Sequence, residues 1–134
     1  MIELDSNNHS VFKLTYHLIL VVKYRRKVIN DTIGKRIRAI ADYVGTTYQI
    51  TMLESNHDQD HMHFRFKAHP NTALSKYINA FKSASSRLVK KEYPQIKRKL
   101  WKEFFWSKSY CLLSTGGAPL AVIKKYIESQ GERG

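Results

Sequence analysis

Two histidines separated by one residue, His61 and His63, open the most regular alternation in the chain, His61-Met62-His63-Phe64-Arg65-Phe66-Lys67. A strand's period of two turns both imidazoles to one face, which Arg65 and Lys67 continue, and turns Met62, Phe64 and Phe66 to the other. Two imidazoles on a rigid element can converge on one divalent ion, and the adjoining cations suit the phosphates flanking a metal-polarised phosphoryl group. Two histidines leave the coordination sphere incomplete. Candidates for the remainder are Asp60, His57, Asp58, His17 and an oxygen ligand from elsewhere, and a carboxylate such as Asp60 suits Mg2+ or Mn2+.

A second constellation lies near the C-terminus. Val122, Tyr126 and Gln130 fall at i, i+4 and i+8 of a predicted helix, one position off the Leu120, Ile123 and Ile127 stripe predicted to pack. A tyrosine can attack a phosphodiester and form a phosphotyrosine that conserves the bond energy for rejoining. With an ordinary pKa near ~10, Tyr126 would need activation by positive charge or a metal's field. Lys125 projects about a third of a turn away and is assigned no role as a base. Gly116-Gly117 ahead of the helix is a flexible joint, and Pro119 suits a first helical position.

The chain has 134 residues with 23 Lys+Arg against 11 Asp+Glu, a formal net charge of +12. Residues 61–102 hold eleven basic groups and one acid, so the middle of the chain supplies nearly all the excess. That concentration points to a polyanion. Candidate nucleic-acid-binding groups are Arg25, Arg26 and Lys27 after the first strand, Arg65 and Lys67 beside the histidines, Lys82, Arg87, Lys90 and Lys91 on a helix, and Lys97, Arg98 and Lys99 beyond it. Phe64, Phe66, Tyr77, Phe81, Tyr93 and Trp101 are interleaved with them as stacking groups. The 43% apolar content supports one packed domain over residues 1–134 and argues against global disorder. No apolar run spans a bilayer, no signal-like segment opens the chain, and the single Cys111 excludes an internal disulfide or a thiolate zinc cluster. A cytoplasmic protein, nucleoid-associated when on DNA, is expected.

The elements that must position these groups follow from periodicity. Val11 to Tyr24 reads as a strand with Ile19 and Val21 interrupting its polar face, so both sides are covered at that end. A helix follows, capped by Asn30 or Asp31 and stopped by Gly45. Tyr48 to Ser55 is a second strand, joined as a hairpin to the histidine strand. His69-Pro70-Asn71-Thr72 caps a helix that runs to about Tyr93 with Leu74, Ile78, Phe81, Ser85 and Leu88 buried, and Tyr110 to Ser114 is a fourth strand. The order β-α-β-β-α-β-α predicts an α+β, ferredoxin-like four-stranded antiparallel sheet with an added C-terminal helix.

Asp60-His61-Met62-His63-Phe64 on a strand, with Tyr126 and Gln130 some sixty residues later, resembles the single-tyrosine HUH transposases of small insertion sequences, REP-associated tyrosine transposases among them. The likeness runs from Tyr16-His17 and Lys23-Tyr24-Arg25-Arg26 through Lys82-Ser83-Ala84-Ser85-Ser86-Arg87 and Trp106-Ser107-Lys108-Ser109-Tyr110 to Gly116-Gly117 and Tyr126-Ile127-Glu128-Ser129-Gln130. It implies metal-dependent cleavage and rejoining of single-stranded DNA that carries hairpins near the element ends. His61 and His63 would bind the ion, Gln130 would give the third ligand, and Tyr126 would attack the scissile phosphate, leaving a 5′-phosphotyrosine and a free 3′-OH. It further implies a homodimer with composite active sites and a tyrosine helix that moves on Gly116 and Gly117. With that helix docked away from the histidines, Asp60 or water would replace Gln130. Replication initiators and conjugative relaxases share the motif set in larger chains with another motif order. A non-catalytic nucleic-acid-binding module on the same fold is the alternative from another class.

Overall fold

The computed structural model describes residues 3–4, 12–114 and 119–133. The polar N-terminal arm, apart from the two-residue strand β1 (Glu3–Leu4), and the Gly116-Gly117 joint lie outside the described residues. The remaining elements are β2 (Phe12–Val21), α1 (Asp31–Thr47), β3 (Ile50–His57), β4 (His61–Ala68), α2 (Leu74–Glu92), β5 (Cys111–Ser114) and α3 (Leu120–Arg133). All pairings are antiparallel: β4 lies between β2 and β3, and β5 and β1 pair β2. This is the ferredoxin-like arrangement.

Strand β2 is apolar on both faces, and each face has its own cover. Leu18, Leu20 and Val22 join Phe64, Phe66, Ile33, Ile37, Tyr77 and Phe81 in the main core under α1 and α2. Ile19 and Val21 face the other way and are buried by Ile127, with Ile123, Tyr126 and Cys111 beside them. Helix α3 is therefore a third layer, on the face opposite α1 and α2. Full burial of each large apolar side chain contributes about 1.5–3 kcal/mol, so both seams are strong constraints on the position of β2.

Several details depart from the sequence reading. Phe64, Phe66, Tyr77 and Phe81 are core residues rather than stacking groups, because their helix and strand stripes are the ones that pack. Gly45 does not stop α1, which continues to Thr47; a Cβ there would lie 3.2 Å from the Ile50 Cβ, so the glycine serves close helix–strand approach. Asn30 is the cap, its side chain accepting from the Ile33 N–H at 2.8 Å. Helix α2 starts without a side-chain cap, and Thr72 instead donates to the Tyr48 carbonyl. Leu120 is exposed, because the apolar seat on β2 is met only from Ile123 onward.

A β-bulge between Met52 and Glu54 changes which side chains share a face. Before it Thr51 opposes Lys67; after it Glu54 opposes Arg65 and His57 opposes Met62. The extra residue, Leu53, inverts the parity of everything that follows. His57 consequently points to the α1 side, where it meets Asp31 at 3.0 Å, and is removed from the histidine face. Simple alternation in β3 does not reveal this.

The segment between α2 and β5 is tied to the core by Trp106, whose indole N–H donates to Ser85 Oγ at 2.9 Å, while Ser85 Oγ donates to the Phe81 carbonyl. Ser85→Ala would leave a buried indole N–H without its partner. The expected cost is about 1–3 kcal/mol of folding stability, read as a lower urea midpoint at unchanged m-value; an unchanged midpoint would show that the bond does not anchor this segment.

Candidate active site

The β2–β4 register opposes Ile19 to His63 and Val21 to His61, so the histidines lie directly beside the strip of β2 that α3 covers. His61 Nδ1–H donates to Asp60 Oδ1 at 2.7 Å, and Asp60 Oδ2 accepts from Arg25 Nε at 3.0 Å. Asp60 is 5% exposed. With both oxygens engaged, it is placed to fix the tautomer of His61 and leave Nε2 as the lone-pair nitrogen, the usual role of a carboxylate behind a metal-binding imidazole. That geometry favours orientation of His61 over Asp60 as a stand-in ligand.

His63 Nε2 and His17 Nδ1 are 2.9 Å apart, one donating to the other. His17 is thus a neighbour of the site, brought there by the diagonal of the β2–β4 ladder. Burial lowers the pKa of both; the Arg65 charge lowers His17 further, His17 and His61 lower His63 further, and Glu54 opposes the shift in each. Both imidazoles are neutral at pH 7, the form that ligates metal. Ligation through His63 Nε2 requires the His17 contact to open. No three His, Cys, Asp or Glu side chains converge among the described residues.

Helix α3 brings Tyr126 and Gln130 near the same face. Tyr126 is half-buried on α3 and Gln130 is buried, and both meet Ser109. Ser109 Oγ donates to Gln130 Oε1 at 3.3 Å, and Tyr126 Oη lies 2.9 Å from the same oxygen. Ser109 has one proton, given to Gln130, so Tyr126 is the donor to Ser109. Burial raises the Tyr126 pKa more than this hydrogen bond lowers it. In this arrangement Tyr126 is a protonated donor, and the polar contacts of Gln130 run to Ser109 and Ser129 rather than to the histidines.

The sequence reading missed Ser109 and the lysine that sets its loop. Lys82 Nζ donates to the carbonyls of Ser107 (2.7 Å), Lys108 (3.0 Å) and Ser109 (3.4 Å), and burial lowers its pKa. Lys82, expected to contact DNA, is spent on shaping this loop. Arg65 pairs with Glu54, and Lys90 donates to the Glu103 carbonyl, while Arg26, Lys27, Arg87, Lys91, Lys97, Arg98 and Lys99 remain exposed. Arg25 serves Asp60 first, and Lys67 shares the histidine face. A cavity of about 480 Å³ lies elsewhere, at the start of α1, lined by Lys27, Asn30, His57, Gln59 and Lys99 among others.

Because His17 and His63 have lowered folded-state pKa values, the unfolded chain binds more protons in the window below about 6.5. Stability is therefore expected to hold above that pH and to fall as the pH drops through the window. Urea midpoints from pH 7.5 to 5 would show it, and His17→Gln should flatten the fall; a flat wild-type profile would contradict the assignment.

Known proteins place this geometry. Residues 10–130 match the family described as Transposase IS200 like. The chain is 33% identical over 132 residues to the ISDra2 transposase TnpA of Deinococcus radiodurans, covering 98% of this chain and 94% of that protein. It is 25% identical over 124 residues to the transposase for insertion sequence element IS200 of Salmonella typhimurium, covering 92% and 81%. The crystal structure of a candidate transposase from Deinococcus radiodurans superposes with a TM-score of 0.84 at 29% identity, covering 95% of this chain and 98% of that one. A REP-associated tyrosine transposase bound to a REP hairpin shares the fold, with a TM-score of 0.59 at 11% identity over 93% of this chain and 69% of that one.

Proposed function

The chain belongs to the IS200-like transposase family, and on that footing we propose that it cleaves and rejoins single-stranded DNA through a 5′-phosphotyrosine intermediate with a divalent metal, Mg2+ or Mn2+, to excise and insert a mobile element. One observation carries the reading: the helix bearing Tyr126 and Gln130 packs on the same face of the sheet that displays His61 and His63, against β2 residues that directly oppose them.

His61 and His63 would hold the ion, with Asp60 keeping His61 oriented and Gln130 Oε1 offering an oxygen once it leaves Ser109. When bound, the ion would neutralise and polarise the scissile phosphate. Tyr126 Oη forms the bond to phosphorus as its proton passes to water, and the phosphorus–O3′ bond breaks, the departing oxygen taking a proton from water to leave a free 3′-OH. A 3′-OH attacking the phosphotyrosine reverses the exchange and restores the tyrosine. In the docked arrangement burial keeps Tyr126 protonated against the opposing effect of the Ser109 hydrogen bond, so that arrangement is a resting one from which α3 must shift. Gly116 and Gly117, outside the described residues, would supply the hinge.

The substrate would be single-stranded DNA with hairpins near the element ends. In this reading the basic groups of residues 61–102 that stay exposed, with Arg26 and Lys27, hold its phosphates. The active unit would be a homodimer with composite sites; Leu120 and Val122, exposed apolar residues on α3, leave surface for a second copy. No helix among the described residues is long and apolar enough to cross a membrane, and a protein acting on DNA in this way would work in the cytoplasm.

Mixing protein, Mg2+ and a single-stranded hairpin substrate should give a covalent protein–DNA species on denaturing gels. Tyr126→Phe should abolish it, and survival of the adduct would move the nucleophile to another tyrosine. His63→Ala should reduce cleavage by at least about a hundredfold, the scale of lost metal catalysis, while hairpin affinity changes little; parallel loss of both would make the histidines structural.

A further inference from the structure

Of the aromatic groups interleaved with charge in the sequence, Phe64, Phe66, Tyr77 and Phe81 fill the core, whereas Trp101 joins a cluster outside it. Tyr24, in the turn after β2, and Trp101 and Phe104, between α2 and β5, come together around one buried lysine. Lys23 Nζ lies 5.5, 5.4 and 5.5 Å from the ring centroids of Tyr24, Trp101 and Phe104. Trp101 meets Tyr24 edge-on at 5.1 Å and stacks on Phe104 at 6.0 Å with an interplanar angle of 24°. Lys102 Nζ sits 4.6 Å from the Trp101 centroid. Phe104 is 54% exposed despite this company.

The backbone under the patch is strained in both segments. Tyr24 and Arg25 have φ of 56° and 55°, and Lys102 and Glu103 have 48° and 63°, the left-handed region that non-glycine residues adopt at a cost. The surroundings hold these turns: Lys23 N–H donates to the Phe105 carbonyl at 2.9 Å, stitching the two segments together beneath the rings. The patch also adjoins the candidate active site. Arg25, next in sequence to Tyr24, bonds Asp60, which bonds His61. Exposed Arg26, Lys27 and Lys102 belong to the same two segments.

From these observations we infer that Tyr24, Trp101 and Phe104 form a stacking platform for unpaired nucleobases of the DNA strand at the reaction centre. The inference rests on the reading of this chain as a single-strand DNA transposase and adds where its bases are held. Aromatic faces next to fixed cations match a chain of bases linked by phosphates. A duplex end offers few free faces, so the platform selects single strands at the point where one must be cut. An apolar protein partner would not call for the basic residues of the same turns.

The test measures binding without chemistry, in EDTA, using a ten-nucleotide oligothymidine and an abasic strand of the same length. Wild-type protein should bind the oligothymidine roughly tenfold more tightly than the abasic strand, the scale of one base–aromatic stack, with quenching of Trp101 fluorescence that Trp101→Phe removes. Phe104→Ala should lose that preference by binding the oligothymidine more weakly and the abasic strand unchanged, and Phe104→Tyr should restore it. Equal weakening on both strands, or an unchanged preference, overturns the platform, as does a shift of Phe104→Ala from dimer to monomer on sizing, which would make the patch a protein interface. A wild-type base preference without any covalent adduct under Mg2+ would sustain the platform and reject the transposase chemistry instead. Urea midpoints of the variants exclude misfolding as the cause.

Discussion

Everything at the candidate site depends on the antiparallel register of β2 against β4. Ile19 opposes His63 and Val21 opposes His61, and β2 is apolar on both faces, so its position is held by two separate hydrophobic seams. Leu18 and Leu20 pull it toward α1 and α2, and Ile19 and Val21 seat α3. A slip of one residue would exchange the faces and place histidines in the core. The register therefore holds the histidines on their face through packing, and it also sets α3 beside the two imidazoles.

Around that frame the polar groups form two separate networks. One runs Arg25–Asp60–His61 and fixes the orientation of an imidazole. The other runs Tyr126–Ser109–Gln130, on a loop whose carbonyls are gathered by Lys82. In the second network the exposed Ser109 contacts the half-buried Tyr126 and the buried Gln130, which ties the helix to that loop. The binding energy of a substrate is the natural source for exchanging those contacts, because the groups released are the ones the reaction would use.

Much of this was legible in the chain. The alternation in His61–Lys67 located β4 and its two faces, and the Ile19 and Val21 interruptions announced a second cover on β2. The i, i+4 spacing of Tyr126 and Gln130 put both on one side of α3. What escaped were features that depend on a single inserted residue or on distant partners. Leu53 reverses the parity of β3 and takes His57 off the histidine face. Lys82 reads as one more surface cation until three carbonyls are seen around it. Phe64, Phe66, Tyr77 and Phe81 read as interleaved stacking groups, yet they fill the core.

By itself, then, the sequence determined the element order, the chemistry-bearing residues, the family likeness and the basic character of the middle of the chain, because periodicity, residue type and charge are local properties. Only the tertiary structure decided which of those residues meet. It brought His17 to His63, Ser109 to Tyr126 and Tyr24 to Trp101, pairs separated by 46, 17 and 77 positions. The physical reason is that such contacts are set by strand register and by the layer on which each element packs, and both result from burying apolar surface across the whole domain rather than from any short stretch of it.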